Sequence, residues 1–368
     1  MQPRIGFRVD WSRQRGLGHL QRCLHLAEAL AGYDVRSALI ARPEAAALTS
    51  AVPPRIDIAW LGLSPRGAHT HVSTPGDEAQ ETTWGQEEDA HRSIAALQEL
   101  GADAVVVDRY QLDAEWESRV RDGLGLPIVA IDGLADRRHS AELVVDPTYV
   151  ADDRARWHGL LGSRTRVLRG PRYALLPSHL QDLLRQRPCR DGIVERVLIS
   201  FGGSDPEGLT ERALYAMTMV SDLDLAFDLV VGAGHPAPNL VQERCAKLPN
   251  ATFHHATSRM PELMTSADLA VGSGGITTYE RAFLGLPALV VVAADNQITQ
   301  IEEVARAGAI VSLGSAATVT PSMLASAMRD MADDLGNMQR MSTAARSIFG
   351  HDTVPGSLRV AEEVAKLL

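Results

Sequence analysis

The chain has 368 residues, 45% hydrophobic and 22% charged, a soluble globular profile too long for one ordinary α/β domain and comfortable for two. Its net charge of −10 excludes a broad surface for nucleic acid or anionic membrane but allows a local phosphate pocket. Cys23, Cys189 and Cys245 are widely separated with no CxxC spacing, which argues against a disulfide scaffold or zinc cluster. No apolar run approaches a signal-peptide core or a membrane span, so a cytoplasmic protein without a membrane anchor is expected.

In chain order, IGFRV (5–9) predicts a buried strand, followed by a glycine loop and a helix over 20–31. That helix carries Leu20, Cys23, Leu24, Ala27 and Leu30 at helical spacing. Further buried strands are predicted at VRSALI (35–40), IDIAWL (56–61), AVVVD (104–108), PIVAID (127–132) and LVVD (143–146), with a helix over 87–100. Residues 62–86, rich in Gly, Pro, Ser, Thr and His, read as a long surface loop. The stretch 170–192 has prolines, a polar run and no strand pattern, which marks a hinge.

A second strand series starts at RVLISFGG (196–203) and continues through FDLVVGAG, ATFHHA, LAVGSGG, ALVVVA and AIVSLG. Strands alternating with helices imply right-handed βαβ crossovers in each half. The expected organisation is a domain over 1–175, a linker over 176–192 and a second domain over 193–368, with a final helix near 356–368 able to pack on either half. Two doubly wound, Rossmann-like domains facing across a cleft are the GT-B-like architecture of nucleotide-sugar enzymes, although fold alone does not choose the reaction.

Three constellations point to chemistry. In VGSGGITTYERAF a strand meets the turn Gly272-Ser273-Gly274-Gly275 and then a helix expected to start near Thr277. Such a turn lets backbone N–H groups and a helix dipole approach a diphosphate, with Thr277 adding a hydroxyl and Glu280 placed for a ribose diol. A bare βα turn explains the same residues without a ligand. In SFGGSDPEG, Gly203 and Ser204 are candidate phosphate contacts, but capping by Ser204 and Asp205, with Pro206 opening the helix, accounts for the motif equally. In RVDWSRQRGLGHLQRC, His19 follows Gly16 and Gly18 at a helix start, where the dipole disfavours a cation and favours a neutral, basic imidazole. A histidine that only caps its own loop is the alternative. Asp10 is a candidate partner for His19 or a loop cap. Asp108, Arg109, Tyr110 and Asp132 end strands, and Asp295, Asn296 and Gln297 follow another, where amides could bond sugar hydroxyls. Neither a P-loop nor a metal motif is present, so no metal or cofactor is expected.

Across nearly its whole length the sequence resembles the UDP-sugar hydrolase family of pseudaminic acid biosynthesis, which acts on UDP-2,4-diacetamido-2,4,6-trideoxy-β-L-altropyranose. The resemblance runs through RVDWSRQRGLGHLQRCLHLAEAL, VVVDRYQLDAEWE, AIDGLADRRHSAELVVDPTY, LRGPRYALL, ISFGGSDPEGLT and GSGGITTYERAFLGLPALVVVAADNQ. It implies that His19 activates water for inverting attack at the anomeric carbon, that Tyr110 and Asn296 belong to the active site, and that Gly274, Gly275, Thr277 and Glu280 hold UDP without a metal. Trp11, Arg109, Gly133 and Pro177 depart from the family pattern near the site, so the sugar is the open question. A glycosyltransferase using the same cleft, with His19 deprotonating an acceptor hydroxyl, is the alternative, and a non-catalytic nucleotide-sugar-binding subunit is a third.

Overall fold

The computed structural model describes residues 2–12, 16–62, 84–186 and 190–368. Most of the stretch 62–86 and the segment 187–189 of the expected hinge lie outside the described residues. Two compact units emerge. The first is Met1–Thr148, Asp152–Ser178 and Gly356–Leu368; the second is Tyr149–Ala151 and His179–Pro355.

The first unit is built on a seven-stranded sheet: β1 (Arg4–Val9), β2 (Arg36–Ala41), β3 (Asp57–Trp60), β4 (Ala104–Asp108), β5 (Ile128–Ile131), β6 (Leu143–Asp146) and β7 (Arg166–Arg169). Every pairing is parallel, in the order β3-β2-β1-β4-β5-β6-β7. The chain winds outward from β1 to β3, crosses back, and continues from β4, so the order reverses between β1 and β4. In a doubly wound sheet, ligands bind beyond the C-terminal ends of the strands at that reversal.

Side-chain alternation assigns each face. Ile5, Phe7 and Val9 of β1 and Ala104 and Val106 of β4 pack with Leu20, Cys23, Leu24 and Ala27 of the helix Gly18–Ala31. Val105 and Val107 face the other way, with Ala90 and Leu97 of the helix Gln86–Leu100 and Trp116 of the helix Ala114–Leu124.

The expected second domain ran to residue 368, but its last thirteen positions belong to the first unit. Val360, Ala361 and Val364 of the helix Gly356–Ala365 join the core beside the helix Gly18–Ala31. Gly356 permits this docking, because a Cβ there would lie 2.4 Å from the Tyr173 and Ala174 backbone. Ser357 Oγ then donates to the Leu176 carbonyl at 2.6 Å.

The second unit repeats the plan with β8 (Arg196–Ser200), β9 (Ala226–Val231), β10 (Ala251–His255), β11 (Leu269–Ser273), β12 (Ala288–Val292) and β13 (Ile310–Ser315). All pairings are parallel, in the order β10-β9-β8-β11-β12-β13, so this sheet reverses between β8 and β11. Both glycine turns singled out in this half follow those two central strands. Among the described residues no helix is long and apolar enough to cross a membrane.

Candidate active site

In the first unit the loop after β1 returns through Gly16, whose φ of +76° suits glycine, and the helix begins at Gly18 with His19 in its first turn. Among the described residues a Cβ at Gly16 or Gly18 would meet open space. His19 Nδ1 lies 2.6 Å from Asp108 Oδ1. The same carboxylate accepts from Arg22 Nε at 2.5 Å and from Arg22 Nη2, and Cys23 Sγ sits 3.6 Å away. Burial alone would raise the Asp108 pKa, but Arg22 and His19 together hold it well below the usual carboxylate range. An ionised carboxylate only accepts, so the Asp108 bond places a ring proton on Nδ1 and leaves Nε2 outside that pair; Arg22 Nη2, also a donor, stands 3.0 Å from the same Nδ1. The Tyr110 ring stands edge-on to the imidazole, at 80° and 4.9 Å between centroids.

Asp10 is not the partner of His19. It belongs with Arg8 on the opposite face of the sheet, where Arg8 donates to both its oxygens at 2.6 and 3.0 Å, and it also pairs with Arg109 and accepts from the Arg42 backbone N–H. Period-two alternation explains the exchange. Asp108 follows Ala104 and Val106 on the face covered by the His19 helix, whereas Asp10 follows Arg8 on the face of the helix Gln86–Leu100. That alternation was the readable signal for Asp108. Arg109 is buried in the Asp10 cluster, and burial together with Arg8 lowers its pKa to about 9. Trp11 is also buried, near Trp60. A Cβ at Gly133 would lie 2.6 Å from Thr148 Oγ1, which donates to the Gly133 carbonyl, so a side chain there requires Thr148 to turn away.

In the second unit β11 ends at Ser273, and the turn Gly274-Gly275 leads into the helix Ile276–Phe283, one residue earlier than expected. Gly275 has φ +104°, and a Cβ on Gly274 would collide with Ile301 and Gln297. Arg281, fully buried, donates to the Ser273 carbonyl at 2.8 Å and to Thr278 Oγ1. Gln300, which the sequence reading passed over, donates to the Gly275 carbonyl at 3.0 Å. Gln297 turns its Oε1 inward to accept from Ala293 N–H at 3.0 Å, while Asn296 is exposed. Thr277 lines a small cavity with Ser200, Met264 and Arg281. Glu280 is buried, and burial, partly offset by Arg281, raises its pKa to about 7.

The other glycine turn is held backbone to backbone. The Gly203 carbonyl accepts from Gly234 N–H at 2.9 Å, and a Cβ on Gly232 would lie 2.4 Å from Gly203. Ser204 is buried beside it. The expected helix start at Pro206 is corrected: the helix begins at Leu209, and Asp205 accepts from the N–H groups of Leu209 and Thr210 at 3.0 and 2.7 Å. Residues 206–208 are a turn bridged by that carboxylate. Among the described residues no group of three His, Cys, Asp or Glu is arranged to hold a metal ion.

Residues 198–353 match the model of the glycosyltransferase family 28 C-terminal domain. The spore coat polysaccharide biosynthesis protein SpsG of Bacillus subtilis is 33% identical over 155 residues, covering 41% of this chain and 44% of that protein. An uncharacterized protein of Methanocaldococcus jannaschii is 22% identical over 292 residues, covering 78% and 55%. The chain thus spans about half the length of the curated relatives it matches. Among solved structures, Acinetobacter baumannii MurG superposes with a TM-score of 0.63 at 17% identity, over 99% of this chain and 100% of that one. The fold is GT-B-like, made of two parallel-sheet α/β units of the Rossmann kind, and its similarity is to glycosyltransferases.

Proposed function

We propose that the protein cleaves a nucleoside diphosphate sugar, with UDP as the nucleotide, at the anomeric carbon and passes the glycosyl group to a hydroxyl acceptor. The observation that carries the reading is the bond from His19 Nδ1 to buried Asp108, which leaves Nε2 as the base. Nε2 takes the proton of the attacking hydroxyl as its oxygen bonds to the anomeric carbon and the bond to UDP breaks, inverting that centre. The resulting imidazolium is stabilised by Asp108, while Tyr110 borders the ring. The second unit supplies the nucleotide site: the Ser273–Gly275 turn and the helix N-terminus for the diphosphate, Glu280 for the ribose hydroxyls, and Gly203, Ser204, Thr277, Asn296 and Gln297 as further contacts. The family 28 match over 198–353 supports transfer.

Hydrolysis, with water in place of the acceptor, is the second reading, and the long resemblance to the UDP-sugar hydrolases favours it. Phosphorus NMR of UDP release separates the two. Release that requires an added acceptor identifies a transferase. Acceptor-independent release from UDP-2,4-diacetamido-2,4,6-trideoxy-β-L-altropyranose identifies a hydrolase. Failure to release UDP from any UDP-sugar, by protein that binds UDP, sinks both.

Glu280 gives this reading a pH signature. Its folded pKa of about 7 lies above the ordinary carboxyl value, so the free protein holds a proton there that the unfolded chain has already lost. That contribution to stability is complete at low pH and disappears as pH rises from about 4.5 to about 7. Ribose hydroxyls donate to the ionised form, so UDP binding below pH 7 expels the proton. UDP affinity should therefore be about tenfold weaker at pH 6 than at pH 8, and Glu280→Gln should bind weakly at both. Calorimetry in two buffers of different ionisation heat measures this; no proton release from the wild type at pH 6 rejects the ribose role.

A further inference from the structure

The geometry assigns a further residue to the reaction: Arg137 is a positioning residue that holds the Tyr110 ring, and through it the His19 imidazole, in place. Its catalytic meaning rests on the reading of His19 as the base. The Arg137 guanidinium carbon lies 5.2 Å from the centre of the Tyr110 ring, which also meets His19 at 4.9 Å between centroids. A guanidinium within about 6 Å of a ring face is attracted by the negative face of the π-system.

Arg137 is itself fixed. It pairs with Asp132 Oδ2 at 2.9 Å and with Asp136 Oδ1 at 2.6 Å, while its Nε is buried without a hydrogen-bond partner. The Tyr110 ring face offsets part of the cost of burying that group. Behind it stands a buried brace. Asp132 accepts from His139 Nε2 at 2.9 Å and from Leu134 N–H at 2.7 Å, and His139 Nδ1 reaches Glu117 Oε1 at 2.6 Å. Burial opposes the charge on His139, yet the two carboxylates raise its pKa to about 9, so both ring nitrogens donate at neutral pH. In this interior, Glu117 and Asp132 are balanced by His139 and Arg137. Removing Arg137 therefore frees Tyr110 and unbalances Asp132 together.

The test uses the full-length protein with labelled histidine, the His19 ring signals being assigned by their loss in His19→Ala. Arg137→Gln should shift those signals and lower kcat by about tenfold to a hundredfold, the scale of a small misplacement at a reacting centre, with donor KM within about twofold. Arg137→Lys keeps a cation over the ring and should restore most of both. Arg92→Gln, which removes a cation from Trp84 at another place in the same unit, should change neither. Unchanged His19 signals and kcat in a folded Arg137→Gln overturn the inference, as does equal damage from Gln and Lys, which would mean a plain fold brace. If Arg137→Gln does not fold, Tyr110→Leu breaks the stack from the other side, and unmoved His19 signals there overturn it equally. If the wild type turns over no UDP-sugar, the base reading fails, while the His19 signals still decide whether Arg137 sets the ring.

Discussion

Asp108→Asn should lower kcat by about 10³–10⁴-fold, and His19→Ala by about 10²–10⁴-fold, with UDP affinity close to wild type in both. The two values belong to one device. On the proposed mechanism Asp108 keeps the ring proton on Nδ1 and compensates the charge that appears on the imidazole when Nε2 takes a proton. An asparagine can accept one hydrogen bond there but carries no charge, and its NH₂ would face either the ring N–H or Arg22. The double variant should therefore be little worse than the more damaging single, because residues acting as a unit are not additive. Stability separates the members. Asp108 is fully buried against Arg22, so its loss leaves a guanidinium without its counter-charge, and Asp108→Asn should also unfold at lower denaturant. His19 is partly exposed and should cost little stability. Steady-state kinetics with UDP binding and urea unfolding checks both halves. A kcat within threefold of wild type for folded Asp108→Asn would exclude the dyad as the source of the base.

How much of this was legible in the sequence follows from where the information lay. The central strands were readable because a parallel strand buried on both faces is an apolar run, as AVVVD and ALVVV are. The edge strand β7, RVLR, was missed because an edge strand buries little and its ends are arginines. His19 stands out from its place behind a glycine loop, but the carboxylate that the sequence offers as its partner, with a loop cap as the alternative, is Asp10, the neighbour in sequence. The neighbour in space comes from β4, nearly ninety residues on, and only the facing of alternate residues gives it. Arg137 was out of reach, since a stack on Tyr110 depends on how the segment after β5 folds back. The docking of Gly356–Ala365 onto the first unit was likewise invisible, because the apolar stripe that drives it fits either half. The reversal points between β1 and β4 and between β8 and β11 give the candidate motifs a common place: they end the central strands of each sheet.

The largest loss of stability is expected from Asp89→Ala. Asp89 sits in the first turn of the helix Gln86–Leu100 with no exposed surface. It accepts from Arg8 Nε and Nη2 at 2.9 and 2.7 Å, from Arg42 Nη2 at 3.1 Å, from Trp116 Nε1 at 3.1 Å and from Ser93 Oγ at 3.3 Å. Burial alone would push its carboxyl upward, but Arg8 and Arg42 overcome this and hold it below the usual range. One side chain thus ties β1, the residue after β2 and two helices. Without it, among the described residues, the Arg8 guanidinium keeps the Asp10 carboxylate, which Arg42 and Arg109 also approach, so three guanidinium groups share one carboxylate in a largely buried site. Removing one partner of a buried ionic cluster costs about 3–5 kcal/mol, a large share of the roughly 5–15 kcal/mol that holds a domain folded. Asp89→Ala should therefore lower the unfolding free energy of the first unit by that amount, read from its urea transition, and a loss under about 1 kcal/mol would mean that water or side-chain rearrangement relieves the arginines. The two deep carboxylates then differ in a way that one experiment reads. Asp10 opens the loop that leads to His19, so an Asp89 variant should lose activity in parallel with folded fraction and regain it under stabilising osmolyte. Asp108→Asn should stay slow however well it is folded.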